Sequence, residues 1–152
     1  MQSNTVRQEE AQPGIVWIKL AVLYLVVGVA IGIGMGASQD FTLRPIHAHV
    51  NLLGWATLAI SGLIYTAFPQ TGTTRLARIH FWLLNLALPL MMGSLAYVLL
   101  TGDAKILPVL VVSEISAAVS ILAMTANIFL NLQNRKNRES AGMPLEAAPH
   151  RA

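Results

Sequence analysis

The feature that most constrains this chain is an uncharged apolar stretch, residues 46–68, with two histidines near its first end. A helix of about 23 residues, rising 1.5 Å per residue, covers the roughly 30 Å hydrocarbon core of a bilayer. The stretch is therefore predicted to be a transmembrane helix. Its histidines, His47 and His49, call for an explanation, because an imidazole without a partner is costly in lipid whereas one that coordinates a ligand is not.

Composition extends the same prediction to the whole chain. Of its 152 residues, 55% are hydrophobic and only 11% are charged, which is outside the range of ordinary soluble proteins. We predict an all-α membrane protein of one domain with four transmembrane helices. The predicted segments are a polar tail, four spans and a disordered basic tail, at 1–14, 15–36, 46–68, 79–100, 108–130 and 131–152.

The basic residues indicate how the helices are oriented. The chain carries a net charge of +3, but its Lys and Arg residues flank the spans and form no single patch, so no nucleic-acid partner is predicted. Only Arg44 and Lys105 lie on the side opposite the termini. Because basic loops stay in the cytoplasm, both termini are predicted to be cytoplasmic. The basic residues on the side of the termini are Arg7, Lys19, Arg75, Arg78, Arg135, Lys136, Arg138 and Arg151.

The lack of cysteine narrows what the chain can bind. It excludes disulfides, thiolate metal sites and haem attached through cysteine. His, Met, Glu and Asn remain as possible ligands of a metal or cofactor. Any cofactor is therefore predicted to be held noncovalently.

The two histidines of the second span are predicted to face different surroundings. Residues two positions apart on a helix project about 200° apart, so His47 and His49 cannot bind one ion on a single face. His49 is followed on its own face by Leu53 and Ala56, an apolar wall of the kind that suits a haem with one imidazole ligand. The same residues suit lipid equally well, and two interfacial hydrogen-bonding histidines are the alternative that the residues leave open.

Glu114 is the only acidic residue inside a predicted span, and its depth is comparable with that of His47. An intramembrane carboxyl group is a functional candidate as proton carrier, metal ligand or partner to an imidazole, with a protonated packing residue as the alternative. Met91 and Met92 are interpreted as packing residues, and His80 as an interfacial one.

Small residues in the first span predict where another helix approaches. Gly28, Gly32 and Gly36 recur at intervals of four and form a smooth stripe. We interpret the stripe as a helix-packing seam, with the general glycine enrichment of membrane helices as the alternative.

The order of residues across the second and third spans resembles subunit I of the haem-copper oxidases. The resemblance rests on the histidine pair with a glycine in the next two turns, an aromatic residue, a Phe-Pro end, a glycine-containing loop and an Ile-His-Phe-Trp start. These residues are His47, Ala48, His49, Gly54, Gly62, Tyr65, Phe68, Pro69, Gly72, Ile79, His80, Phe81 and Trp82. They are similar to the tenth helix, the following loop and the eleventh helix of that subunit, and the likeness covers residues 44–100.

The resemblance implies a haem site. By position, His47 matches the axial ligand of the high-spin haem, and His49 matches an axial ligand of the low-spin haem. Arg44, one turn earlier, is a candidate partner for haem propionates, or else a simple interface anchor. The adjacent histidine pair of the family's copper centre does not occur in this sequence, which argues against full oxygen reduction.

The resemblance also implies an assembly and a role. Subunit I contains three arcs of four helices, so this chain corresponds to one arc, and three copies would rebuild the whole as a homotrimer. The implied setting is a bacterial-type cytoplasmic membrane, with respiratory oxidase subunits or an electron donor as partners. The implied function is electron transfer or diatomic-gas (O₂ or NO) chemistry on a noncovalent b- or a-type haem, with copper as an additional metal. The candidate metal ligands are His47, His49 and Glu114, and in a copper or haem transfer protein they would form a labile ion site. A copper or haem transfer protein for oxidase assembly, and a membrane subunit without cofactor, remain the alternatives.

Overall fold

Four long helices form the protein, in a computed structural model that describes residues 13–132. They are α1 (Gly14–Ser38), α2 (Arg44–Ala67), α3 (Arg75–Thr101) and α4 (Leu107–Asn131). Each is long and apolar enough to cross a membrane, which confirms the predicted all-helical membrane protein. Most of the two predicted tails, 1–14 and 131–152, lies outside the described residues.

The helix ends follow from local sequence. Pro45 lies in the first turn of α2, where its missing N–H needs no partner. Thr74 caps α3 by accepting a hydrogen bond of 3.0 Å from the backbone N–H of Ala77. Gly102 ends α3 with a φ of 70°, a left-handed conformation that favours glycine. A short helical turn, Pro69–Gly72, and a 3₁₀ turn, Ala104–Ile106, complete the connections.

Helix α2 is not a regular α-helix throughout. The eight residues Val50–Thr57, which directly follow His49, form a π-helical segment. Its wider turn is supported by the Thr57 hydroxyl, which donates a hydrogen bond of 2.8 Å to the Leu52 carbonyl, five residues back. Such segments are rare and often occur at functional sites.

Helices α1 and α2 pack antiparallel at close range. A Cβ atom on Gly28 would lie 2.6 Å from the Asn51 side chain, and one on Gly32 would lie 3.0 Å from the His47 ring. The predicted seam therefore exists at these two glycines. At Gly36, by contrast, a Cβ would meet no atom within 4 Å in the described part of the chain, so the third glycine does not take part in it.

The core divides between the two ends of the bundle. We call the end at which α1 begins and α4 ends the terminal end, and the opposite one the histidine end. At the terminal end, Trp17, Tyr65 and Leu84 belong to one buried cluster; at the histidine end, Ile46, Val50 and Met91 belong to another. The outward faces carry many exposed apolar side chains, such as Val26, Leu63 and Leu122, which fit contact with a lipid bilayer.

Candidate functional site

His47 points from α2 towards α1. Its Nδ1–H donates a hydrogen bond of 2.9 Å to the Gly28 carbonyl. The absence of a side chain on Gly32 leaves room for the ring, because a Cβ there would lie 3.0 Å from Cε1 of His47. The Asn51 amide, one turn along α2, donates to the His47 carbonyl at 2.7 Å. These contacts fix the His47 ring within the interface between α1 and α2.

His49 points in a different direction. Its Nδ1–H donates a hydrogen bond of 2.7 Å to the Pro45 carbonyl of the same helix. The ring lines a cleft between α2, α3 and α4. The predicted divergence of the two histidines is therefore confirmed: one lies against α1, and the other faces the cleft.

Both rings show the arrangement typical of a coordinating histidine. A carbonyl oxygen can only accept, so in each ring Nδ1 carries the proton and Nε2 carries the lone pair. Histidines that bind metals almost always donate their other ring N–H in this way, which orients the ring and strengthens it as a ligand. Neither Nε2 atom has a hydrogen-bond partner within residues 13–132.

The cleft beside His49 has a volume of about 250 Å³ and brings together ligating groups from three helices. Met91 of α3 and Glu114 of α4 line it with His49, and the other lining residues, Leu53 and Ala117 among them, are mostly apolar. Met91 was predicted to be a packing residue. Its side chain is 2% exposed and packs in the core, but it also lines the cleft, which extends that interpretation.

Glu114 is exposed on the membrane-spanning part of α4, and it forms no hydrogen bond or ion pair with the described residues. The structure brings Glu114 together with His49, but not with His47. Among residues 13–132 there is no group of three or more His, Asp or Glu side chains that could hold one metal ion. A single chain therefore offers at most two of the three predicted metal ligands, with the Met91 sulfur as a further donor.

Arg44 begins α2 at the histidine end, where it is exposed and forms no ion pair with another described residue. The neighbouring loop holds Asp40, whose carboxylate accepts hydrogen bonds from the hydroxyl and the backbone N–H of Thr42. These bonds lower the pKa of Asp40 below its ordinary value. The histidine end thus presents one guanidinium group one turn away from His47.

His80 lies buried in the core and not at the membrane interface. The prediction of an interfacial residue is wrong, because the side chain is 0% exposed. Its ring packs against Trp17 with the ring centroids 4.6 Å apart, and Tyr65 lies beside it. A hydrophilic residue near a helix start normally indicates an interface, but side chains of the three other helices, Trp17, Tyr65 and Ser120 among them, contact His80 and bury it.

No protein-family model matches the chain, and no match was found among curated proteins or among solved structures.

Proposed function

We propose that this chain is a membrane haem protein in which His49 supplies an axial ligand to the iron. The observation that carries the proposal is the 2.7 Å hydrogen bond from Nδ1 of His49 to the Pro45 carbonyl. This bond leaves Nε2, the nitrogen that would bind the iron, with its lone pair available. The apolar side chains of Leu53 and Ala117 in the same cleft suit a porphyrin ring.

His47 is the less accessible of the two histidines. A Cβ on Gly32 would lie 3.0 Å from Cε1 of His47, so the ring already packs closely against α1. A haem on His47 would have to enter between α1 and α2. We therefore assign the first ligand to His49, keep His47 as the second candidate, and place haem propionates near Arg44 at the same end.

The cleft is small for a haem site, which supports a site completed by further copies of the chain. Cofactor pockets usually measure about 300–1,000 Å³, whereas the cleft measures about 250 Å³ and has the exposed residues Glu114 and Ala118 on its rim. A haem on His49 would extend out of it. We propose that further copies of the chain, in a homotrimer, complete the site and also cover Glu114, whose exposure to lipid would be costly.

The proposed role is electron transfer or chemistry on a diatomic gas. We place the trimer in a bacterial-type cytoplasmic membrane with both termini in the cytoplasm, on the distribution of Lys and Arg. Full oxygen reduction is not part of the proposal, because the sequence has only four histidines and no adjacent pair.

One observation favours a second function. The cleft combines the imidazole of His49, the thioether of Met91 and the carboxylate of Glu114. Imidazole and thioether are ligands that bind copper(I), and an exposed carboxylate beside them would let the ion enter and leave. A copper transfer protein for respiratory oxidases is therefore the alternative function.

Absorption and metal analysis of one detergent-purified sample test the two functions. A haem protein shows a Soret band that is lost in His49→Ala and retained in His80→Gln, which alters a histidine far from the cleft. A copper protein shows no Soret band but contains copper, which is lost in His49→Ala and in Met91→Leu. A preparation with neither haem nor copper, grown with both supplied, would overturn both proposals.

A further inference from the structure

A furrow runs along the outer surface of the bundle between α3 and α4, and it shares no lining residue with the cleft beside His49. Its volume is about 500 Å³. Small side chains form its floor: Ala87 of α3 and Ser113 of α4 are each 3% exposed. Its rims carry large apolar side chains that are exposed, namely Leu86 and Leu90 on α3 and Val109 and Val112 on α4.

The polar side chains of the furrow bond to their own helix. The Ser113 hydroxyl donates to the Leu110 carbonyl at 2.8 Å. The Ser116 hydroxyl donates to the Val112 carbonyl, also at 2.8 Å. All other lining residues are aliphatic or proline. Because burial of a polar group is costly unless it gains a hydrogen bond, and these side chains offer no free donor, the furrow suits an apolar chain.

The furrow matches one leaflet of the bilayer in position and length. On α4 its lining covers positions 108–116, beginning at the second residue of the helix at the histidine end. At 1.5 Å per residue this stretch is about 12 Å long, and the hydrocarbon of one leaflet is roughly 15 Å thick. The furrow therefore extends from the membrane surface at the histidine end towards the middle of the bilayer.

The bulky rims favour an acyl chain over a second helix. A helix with its side chains is about 10–12 Å across. Helices approach closely in membranes where small residues form the contact surface. In this furrow the small residues form only the floor, so the leucines and valines of the rims hold a helix away from it. A single hydrocarbon chain can lie between the rims and contact the floor.

A cation precedes the end of the furrow at the membrane surface. Lys105 comes three residues before the lining residue Pro108, and its side chain is 89% exposed. Its ammonium lies 3.6 Å from a carboxylate oxygen of Asp103. Asp103 also accepts hydrogen bonds from the Tyr97 hydroxyl and the Lys105 backbone N–H, so this carboxylate does not depend on the ammonium. Exposed ion pairs contribute little, and an ammonium has three N–H donors, so Lys105 can also bind a phosphate.

We propose that the furrow binds one phospholipid of the leaflet at the histidine end, with an acyl chain along its floor and the phosphate against Lys105. The apolar lining and the rims select the chain, and the positive charge of Lys105 complements the headgroup phosphate. This lipid is retained as one molecule per chain, whereas lipids around the rest of the surface exchange freely. The site requires neither haem nor copper.

Native mass spectrometry of the full-length protein, released from mild detergent, tests this proposal. The protein is freed of lipid and titrated with palmitoyl-oleoyl phosphatidylglycerol, and in parallel with the diacylglycerol that has the same two chains and no phosphate. We expect the phospholipid to saturate at one molecule per chain. We expect the diacylglycerol to bind about fivefold more weakly, since one Lys near the membrane surface contributes about 1 kcal/mol. No saturation at one phospholipid per chain, or equal binding of the two lipids, would overturn the proposal.

Ser116→Leu tests the furrow itself. It places a bulky side chain in the path of the acyl chain and removes only a hydrogen bond within α4. We expect phospholipid binding to weaken at least about fivefold, because overpacking costs about 1 kcal/mol or more. Thr125→Leu is the matched control, since Thr125 is exposed on the same helix and donates only to its own backbone, at Ile121. Unchanged lipid binding in Ser116→Leu, with fewer chains in the complex, would assign the furrow to a second copy and contradict the proposal.

Lys105→Gln tests the headgroup contact without altering the membrane-spanning part of the chain. We expect it to weaken phosphatidylglycerol binding about fivefold and to leave diacylglycerol binding unchanged. Arg44→Gln removes the other basic residue of the histidine end and is the control, because Arg44 begins α2 and does not line the furrow. An equal loss in the two variants would show a general effect of charge and contradict the contact with Lys105.

Discussion

The contact between Gly28 and Asn51 determines how closely α1 approaches the histidine-bearing helix, and Gly28→Ala tests it. The new methyl group would lie 2.6 Å from both Nδ2 and Oδ1 of Asn51. That side chain cannot move away without losing its 2.7 Å bond to the His47 carbonyl. Either this bond breaks or α1 moves outward, which also lengthens the bond from His47 to the Gly28 carbonyl. Overpacking of this kind costs about 1–3 kcal/mol.

The matched control is Gly34→Ala in the same helix, where a Cβ would meet no atom within 4 Å in the described structure. Both substitutions replace a helical glycine and gain about 1 kcal/mol of helix propensity. The difference between their free energies of unfolding therefore isolates the contact with Asn51. We expect Gly28→Ala to be about 1–3 kcal/mol less stable than Gly34→Ala. The assay is unfolding in mixed micelles by increasing sodium dodecyl sulfate, followed by circular dichroism. Equal stability of the two variants would refute the packing described for α1 and α2.

Three further predictions follow from single contacts. Thr74→Ala removes the cap of α3 and a hydrogen bond to Asn127, so we expect the free energy of unfolding to fall by about 1–3 kcal/mol in the same assay. Thr73 is exposed, so Thr73→Ala should change the free energy of unfolding little. Met91→Leu conserves side-chain volume and should lower the free energy of unfolding by less than about 1.5 kcal/mol. If the cleft holds copper, the same substitution should abolish copper binding. Copper retained in Met91→Leu would exclude the sulfur as a ligand. Glu114→Gln should leave haem binding by His49 intact while weakening binding of a cation in the cleft, measured by isothermal titration with copper(I).

The sequence was sufficient for the features that depend on one helix at a time. Apolar length predicted the four spans, and the spacing of His47 and His49 predicted their divergence. Each of these follows from 3.6-residue periodicity or from backbone geometry, which neighbouring helices do not alter.

Apart from the seam at Gly28 and Gly32, features that depend on how the helices meet were not predictable from residue patterns. Met91 and Glu114 belong to different helices, and their meeting at His49 depends on the packing of α3 against α4. The burial of His80 depends on Trp17, Tyr65 and Ser120, which belong to the three other helices. The π-helical segment after His49 has no sequence signature beyond Thr57, whose hydroxyl caps the wide turn.

The central claim is that His49 presents Nε2 as an iron ligand, and titration of the purified apoprotein with haem tests it most directly. We expect saturable binding with a shifted Soret band in the wild type and in His80→Gln, and loss of that band in His49→Ala. Haem binding of equal affinity and identical spectrum in His49→Ala, or no specific binding in the wild type, would contradict the claim.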